Sequence, residues 1–183
     1  MTYLRKAPFI YPIPPAPPTA VLVAWFKSHW FDYQRLHSRG AVRVFEGGWD
    51  ADAEAYRPAA IAGTWRQMEA LLESRIASLT HALIVLARPR DLLLTAEQRK
   101  ELWRAFRVPV FEQIIGENGA LLAAECEAHA GLHIESPKLE LAGRAIEQSP
   151  CGCGRNTSRI TGRPRIGVES QIQETRTVAA HSR

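Results

Sequence analysis

The apolar residues of the chain are spaced in two ways, one typical of helices and one typical of strands. Large apolar side chains recur at helical spacing between Thr19, which can cap a helix, and Gly40, which can end one. This series comprises Val21, Leu22, Trp25, Phe26, Trp30 and Tyr33. Apolar and polar residues then alternate over positions 41–45, before a Gly-Gly pair. The spacing predicts a first helix over 19–40 and then a short strand.

A Thr-x-x-Gln motif begins each of two further predicted helices, one at Thr64 and one at Thr95. In this motif the Thr and Gln side chains satisfy free backbone N–H groups reciprocally. A continuous apolar run follows each helix, at positions 82–87 and 108–115. Such runs, separated by helices, are typical of buried parallel strands joined by crossover helices. We therefore predict an α/β fold with a small, mostly parallel sheet.

An antiparallel hairpin is predicted to follow this sheet. Its arms are residues 119–127 and 132–135, and its loop is residues 128–131. With that loop, Cys126 lies directly opposite His133. Opposed residues have Cβ atoms about 5 Å apart on one face of the pair, so these two side chains are expected to bind one ion together.

Thiolate and imidazole groups, which zinc favours as ligands, are concentrated between positions 126 and 153. The group comprises Cys126, His129, His133, Cys151 and Cys153. A closed structural zinc site needs four such ligands. We predict that Cys126, His133, Cys151 and Cys153 hold the ion, with His129 as the alternative to His133. Four protein ligands leave no open position for a substrate, so the zinc would stabilise the hairpin.

Other chemical roles for the polar residues have less support. A catalytic zinc would need three of these ligands and Glu125 or Glu127 as a base, but neighbouring glutamates on a strand are typical of a protein surface. A cysteine nucleophile would pair Cys126 with a histidine, which leaves Cys151 and Cys153 without a role. The acidic group at positions 46–54 is better explained by a solvated loop with helix-capping acids. We assign no catalytic residue.

Charge and composition argue against nucleic-acid and membrane partners. The formal net charge is +4, and residues 155–183 supply all of it with six arginines against two glutamates. A neutral body does not provide the broad basic face typical of nucleic-acid binding. No apolar run reaches the roughly 18 residues of a membrane span. Three cysteines, an odd number, favour metal binding in a reducing, cytoplasmic location over a disulfide framework.

Three segments are predicted along the chain. Residues 1–18 contain six of the twelve prolines and predict an extended lead-in. Residues 19–160 are expected to form one α/β domain that includes the cysteines and histidines. Residues 161–183 are polar and basic, which predicts a mobile tail.

Several segments within residues 80–160 resemble the adenylate-forming ligases of the phenylacetate-CoA ligase branch. They are the run 82–87 with Arg88-Pro89, the helix from Thr95, the run Val108-Pro-Val-Phe-Glu112, Gly116, and Ala124-Glu-Cys-Glu-Ala-His-Ala-Gly-Leu-His-Ile134. In that family a strand, a capped helix and a second strand lead to a Tyr-Gly-(Leu)-(Ser/Thr)-Glu signature, and then to a Glu-Cys-Glu segment ending in Gly-Leu-His-Ile. The resemblance implies a related fold and, as in some members, a structural zinc beside the hairpin.

Other parts of the family pattern do not occur in these 183 residues. The Ser/Thr/Gly-rich phosphate loop has no counterpart, and neither does the lid domain with its catalytic lysine. At the signature the chain reads Phe111-Glu-Gln-Ile-Ile-Gly-Glu117, where Glu117 matches the family's magnesium-associated glutamate only after a shift. Adenylyl transfer needs phosphate-binding donors and a metal held together. The departures imply a chain that does not activate an acid alone.

We therefore expect a non-catalytic, zinc-stapled α/β protein that binds a partner chain or a small carboxylic ligand. One alternative is an AMP-forming, acyl-CoA ligase-like chain that is active only with a complementary subunit. Another is a nucleic-acid-binding module that acts through the basic tail.

Overall fold

A computed structural model describes residues 18–23, 42–117, 119–139 and 143–161. Their strands form one nine-stranded sheet in the order β2-β1-β3-β4-β5-β6-β7-β9-β8. The strands are β1 (Thr19–Val21), β2 (Val42–Val44), β3 (Ala60–Gly63), β4 (Ala82–Ala87), β5 (Val110–Ile115), β6 (Leu121–Glu125), β7 (Leu132–Ile134), β8 (Ile146–Glu147) and β9 (Arg159–Ile160). The helices are α1 (Ala51–Ala55), α2 (Trp65–Ala70) and α3 (Ala96–Phe106). The proline-rich lead-in before residue 18 and the basic tail after residue 161 lie outside the described residues.

Strands β1 to β5 form the parallel half of the sheet. Neighbouring strands in the order β2-β1-β3-β4-β5 all pair in parallel. Helix α2 connects β3 to β4, and helix α3 connects β4 to β5. Both helices begin with the predicted capping box, at Thr64 and Thr95. The prediction of buried parallel strands joined by crossover helices is confirmed for this half.

Strands β6 to β9 form the antiparallel half. The predicted antiparallel hairpin is confirmed by β6 and β7, but the described sheet as a whole is less parallel than predicted. Of the eight neighbouring pairs in the described sheet, four are parallel and four antiparallel. The cause is the short connection after β5, where the Gly116 N–H donates to the Ala120 carbonyl at 2.8 Å. A parallel neighbour would need a crossover of a dozen residues or more. The hairpin therefore continues the sheet instead of following it.

The start of the first predicted helix is also wrong. Residues Thr19–Val21 form β1, which lies between β2 and β3 and is buried along its whole length. A short, continuous apolar run fits a buried strand as well as a helix, so spacing alone did not distinguish them. The remaining predicted helix, over 24–40, lies outside the described residues. The predicted strand at 41–45 is confirmed by β2.

The described core has three clusters: one under the helices, one on the opposite face of the parallel strands, and a smaller one that includes residues of the antiparallel half. Met68, Leu71 and Leu102 of the helical segments pack with Ile61 and Leu83 of the sheet. The smaller cluster includes Ile114, Leu122, Leu132 and Ile160. Asp50, one of the acidic residues near position 50, caps α1 by accepting a hydrogen bond from Ala53 N–H at 2.8 Å. No helix in the described part of the chain has the length and apolarity needed to cross a bilayer.

Candidate metal centre

Two tight turns carry the cysteines. In the first, at the end of β6, the His129 N–H donates to the Cys126 carbonyl at 3.0 Å. In the second, the Gly154 N–H donates to the Cys151 carbonyl at 2.9 Å. Gly154 has a φ of +84°, in the left-handed region that favours glycine. The chain thus turns at Cys126 and again at Cys151, and β7 lies between these two turns in the sequence.

The turns and β7 bring the four predicted ligands together. One ligand atom from each of Cys126, His133, Cys151 and Cys153 lies within 4.8 Å of all the others. Cys126 Sγ is 3.6 Å from Cys151 Sγ, and Cys153 Sγ is 3.4 Å from His133 Nε2. Tetrahedral zinc, with bonds of about 2.3 Å to sulfur and about 2.0 Å to nitrogen, would separate such pairs by about 3.8 and 3.5 Å. The cysteines form no disulfide, so all three sulfurs are available.

His133 is oriented so that Nε2 faces the sulfurs. The residue lies in β7 and is fully buried. Its Nδ1 is 2.7 Å from Thr157 Oγ1, and donation from Nδ1–H to that hydroxyl leaves the Nε2 lone pair free. Burial, with the charges of Arg155 and Arg159 adding to it, lowers the pKa of His133. These effects favour the neutral imidazole, which is the form that binds a metal.

The register of the hairpin differs from the predicted one by two residues. Ala124, not Cys126, lies directly opposite His133. The reason is a longer connection, residues 126–131, in place of the four-residue loop over 128–131. A shift of two positions keeps each side chain on its original face of the sheet. Cys126 therefore still reaches His133, although from a diagonal position.

His129, the alternative ligand, is not in the four-residue cluster. Its Nδ1 is 3.0 Å from Glu125 Oε1, and its ring stacks on Phe111 with centroids 4.8 Å apart. Its backbone φ is +48°, within the left-handed region. The first turn thus directs Cys126 into the cluster and His129 toward the neighbouring carboxylate.

A cation would change the protonation of the cluster. Burial is the main cause that raises the pKa of Cys126 to about 12, so without a cation this residue remains a thiol at neutral pH. A hydrogen bond from the Cys153 backbone lowers the pKa of Cys151. Three thiolates, one neutral imidazole and one divalent cation sum to a charge of −1. A bound divalent cation would therefore make buried thiolates favourable here.

Arg159 in β9 holds the two cysteine-bearing segments together and supplies the opposite charge. Its side chain is buried, with the residue only 3% exposed. One guanidinium nitrogen donates to the Ala130 carbonyl at 2.7 Å, and the other to Ser149 Oγ at 3.0 Å. Ala130 belongs to the hairpin loop, and Ser149 precedes Cys151. In the sequence Arg159 is one of six arginines at positions 155–183, and no local pattern distinguishes it from the others.

A second buried polar group lies on the other side of the hairpin. Glu125 is 5% exposed, and its Oε2 accepts from Glu112 N–H at 3.0 Å and contacts Arg99 Nη2 at 3.1 Å. Glu112 is 2% exposed and accepts from Leu94 N–H at 2.9 Å. The expectation that Glu125 is ordinary surface charge is therefore wrong. The sequence hint of this buried polar group is Glu112, an acidic residue within the apolar run at 108–115.

Glu112 also borders a cavity of about 490 Å³ at the carboxyl ends of β3 and β4. Its walls are mostly apolar, with contributions from Trp65, Val85, Leu93 and Leu94. Burial is the main cause that raises the pKa of Glu112 to about 7. In open α/β sheets, ligands bind in the crevice beyond the carboxyl ends of the strands. The position and the mostly apolar walls of this cavity are those expected of a small-molecule site.

Comparisons with known proteins support the fold alone. No protein-family model matches the chain, and neither does any curated protein sequence. Among solved structures, the chain is similar to an open conformation of 2-hydroxyisobutyryl-CoA ligase in complex with 2-HIB-AMP and CoA, with a TM-score of 0.57 and 13% identity. The match covers 81% of this chain and 44% of that one, so the chain spans less than half of the ligase. The chain is thus similar in fold to part of that ligase.

Proposed function

We propose that the chain is a non-catalytic binding protein on part of an acyl-CoA ligase fold, with its antiparallel half held by a structural zinc ion. The observation that carries the proposal is the set of four soft ligand atoms within 4.8 Å of one another. Three sulfurs and one imidazole nitrogen match the preference of zinc, and four protein ligands fill its tetrahedral shell. The branch of the family that the proposal favours is the phenylacetate-CoA ligase-like one, because the Glu-Cys-Glu hairpin carries the cluster.

A structural role fits the position of the cluster in the sheet. Strands β7, β8 and β9 have three, two and two residues, too few to be stable without additional support. A zinc ion bound by Cys126, His133, Cys151 and Cys153 would join the β6–β7 hairpin to the segment before β9. The free energy of metal binding would then contribute directly to folding.

The test is the metal content of the purified chain. Elemental analysis is expected to give close to one zinc per chain, and Cys151→Ser is expected to reduce that value strongly. His129→Ala is the matched control, because it removes a neighbouring histidine outside the cluster. Metal-free protein that folds with full stability would overturn the proposal.

The binding role is assigned to the cavity beside Glu112. A small carboxylic acid would place its apolar part against Val85 and Leu93, with its carboxyl group sharing a proton with Glu112. Calorimetric titration with 2-hydroxyisobutyrate and phenylacetate would test this assignment. Binding is expected at pH 6 and is expected to weaken at pH 8, where Glu112 is charged. No heat at either pH would contradict the assignment of a carboxylic ligand to this cavity.

The second candidate function is a ligase-like chain that acts with a complementary subunit. It is favoured by the 44% coverage of the similar ligase, which leaves more than half of that protein without a counterpart. ATP–pyrophosphate exchange with a carboxylic acid, measured on the chain alone and with co-purified proteins, separates the two functions. Exchange in either preparation would overturn the non-catalytic role. The nucleic-acid hypothesis for the basic tail stays a prediction.

A further inference from the structure

The four residues of the cluster differ in their access to solvent. Cys126, His133 and Cys151 are buried, whereas Cys153 is partly exposed. Cys153 is preceded by Gly152 and followed by Gly154, so neither neighbour has a side chain to cover its sulfur. A small solute can therefore reach Cys153 while the other three ligands are shielded.

The same sulfur remains nucleophilic when it binds a metal. Zinc binds cysteine as the thiolate, which is the form that reacts with oxidants. Exposure and thiolate character together determine which cysteine of a protein is oxidised first. Cys126 Sγ lies within 4.8 Å of Cys153 Sγ, so a second thiol is close enough to complete a disulfide after a small movement.

We propose that Cys153 is the site at which hydroperoxides modify the metal centre, and that this modification releases the metal. The inference rests on the proposed zinc site. In the first step the Cys153 thiolate attacks one peroxide oxygen, the O–O bond breaks, and hydroxide leaves. The sulfur is oxidised by two electrons to sulfenic acid, and the peroxide is reduced.

In the second step the Cys126 thiolate attacks the oxidised sulfur. A disulfide forms, and the oxygen leaves as water after taking up a proton. In sum, two thiolates, one hydrogen peroxide and two protons give one disulfide and two waters. Cys126 is the favoured partner because it comes from a separate segment, whereas Cys151 shares a short turn with Cys153 in which a disulfide would be strained.

The consequence is loss of two of the four ligands. His133 and Cys151 alone do not complete a structural zinc shell, so the ion leaves. The hairpin and the segment before β9 then remain joined by the disulfide instead of the metal. All three cysteines of the chain belong to this cluster, so any thiol oxidation of the protein reports on it.

The experiment treats the metal-loaded chain with hydrogen peroxide and follows zinc release with a chromogenic indicator. Dimedone, which traps sulfenic acid, is added in a parallel sample to identify the first cysteine oxidised. Trypsin separates the cysteines, because residues 108–138 and residues 145–155 each form one peptide. A Cys126–Cys153 disulfide joins the two peptides, whereas a Cys151–Cys153 disulfide lies within the second.

The expected result is dimedone on Cys153, a cross-link between the two peptides, and one zinc released per disulfide. Cys153→His is the matched variant, because zinc accepts two cysteines and two histidines. It is expected to retain the metal and to release it at least about tenfold more slowly in peroxide. The dimedone result on the unchanged chain does not depend on the folding of that variant.

Several results would each overturn the inference or one of its steps. Zinc retained with intact thiols shows that the closed site protects Cys153. Equal labelling of the three cysteines, or release from Cys153→His at the unchanged rate, shows that Cys153 is not the point of attack. A cross-link within residues 145–155 overturns the Cys126 step. Protein purified without metal overturns the proposed function as well, and that result is known before peroxide is added.

Discussion

The parallel and antiparallel halves of this sheet are stabilised by different means. In the parallel half, β3, β4 and β5 are completely buried, and the helical segments contribute Met68, Leu71 and Leu102 to the core. In the antiparallel half, the strands after β6 have at most three residues, and buried side chains there include His133 and Arg159. The first half relies on apolar burial, and the second adds sulfur, imidazole and ion-pair contacts to a smaller apolar cluster.

The difference shows how one sheet can contain two kinds of stability. A buried apolar strand requires only that helices or other apolar elements pack on its faces and that its apolar residues are correctly spaced. A buried polar group requires a specific partner, because an unpaired one is costly. The parallel half should therefore stay folded when the metal is removed, whereas the antiparallel half should not.

The largest expected effect is that of metal removal. If the proposed zinc is bound, its chelation should increase hydrogen exchange in β7 and β9 strongly and leave β4 protected, because the cluster joins only the antiparallel segments. Mass spectrometry of exchange in residues 132–134, 159–160 and 82–87 measures this contrast. Equal loss of protection in all three segments would mean that the halves are one cooperative unit.

The next largest effect is a cavity in the parallel half. Leu102→Ala removes a fully buried side chain and is expected to lower the free energy of unfolding by about 2–5 kcal/mol. Leu92→Ala is the control, because Leu92 is 69% exposed. Denaturant unfolding measures both variants, and the zinc content of each should be unchanged. Loss of zinc from Leu102→Ala would show that the core of the parallel half also supports the metal cluster.

A backbone contact is the corresponding weak point of the antiparallel half. Gly131 has a φ of +104°, and a Cβ there would lie 2.5 Å from the Ile160 carbonyl oxygen. Gly131→Ala is expected to cost about 3 kcal/mol from strain and overlap. Gly48→Ala, at a φ of +87° with nothing within 4 Å, isolates the strain and should cost about 1 kcal/mol. Similar costs for both variants, measured by denaturant unfolding, would argue against the overlap.

The pH dependence of stability should reveal Glu112. Its pKa is raised to about 7 in the folded chain, so its contribution is fully present below its ordinary pKa of 4.5 and is lost as pH rises through 7. Relative to Glu112→Gln, the unchanged chain should lose about 1 kcal/mol of unfolding free energy between pH 6 and pH 8. Comparing the two proteins by unfolding at each pH cancels the pH dependence of the metal site. Parallel stability curves would contradict the raised pKa.

The smallest expected effect is that of a helix cap. Thr95→Ala removes the hydroxyl that accepts from Gln98 N–H at 3.0 Å and should cost roughly 0.5 to 1 kcal/mol. Thr95→Ser retains the hydroxyl and should be close to neutral. Thermal unfolding of the two variants measures the difference, and equal melting temperatures would mean that the cap contributes nothing.

The features that the sequence predicted correctly depend on residues close together in the chain. The capping boxes at Thr64 and Thr95 depend on residues three positions apart, so the motif and the structure coincide. The proximity of Cys126, His133, Cys151 and Cys153 was predictable for another reason, because two cysteines separated by one residue are typical of metal binding, and their role as ligands stays a prediction. The structure brings the predicted ligands together, and zinc itself remains a proposal.

What the sequence did not predict depends on distant contacts. Thr19–Val21 is a strand because β2 and β3 pair with it on either side, and no local spacing shows this. The burial of Glu125 depends on Arg99 and Glu112, which come from a helix and a strand earlier in the chain. The register of the hairpin depended on a turn at Cys126 that the alternation of residues did not indicate.

Glu125 occupies a position with consequences beyond the hairpin. It precedes Cys126 directly, and its carboxylate accepts from the backbone of Glu112, whose own side chain borders the cavity. One peptide bond and one hydrogen bond therefore connect Cys126, through Glu125, to Glu112 at the cavity wall. A molecule that shifted the backbone at Glu112 would break the hydrogen bond to Glu125 and so disturb the residue next to Cys126.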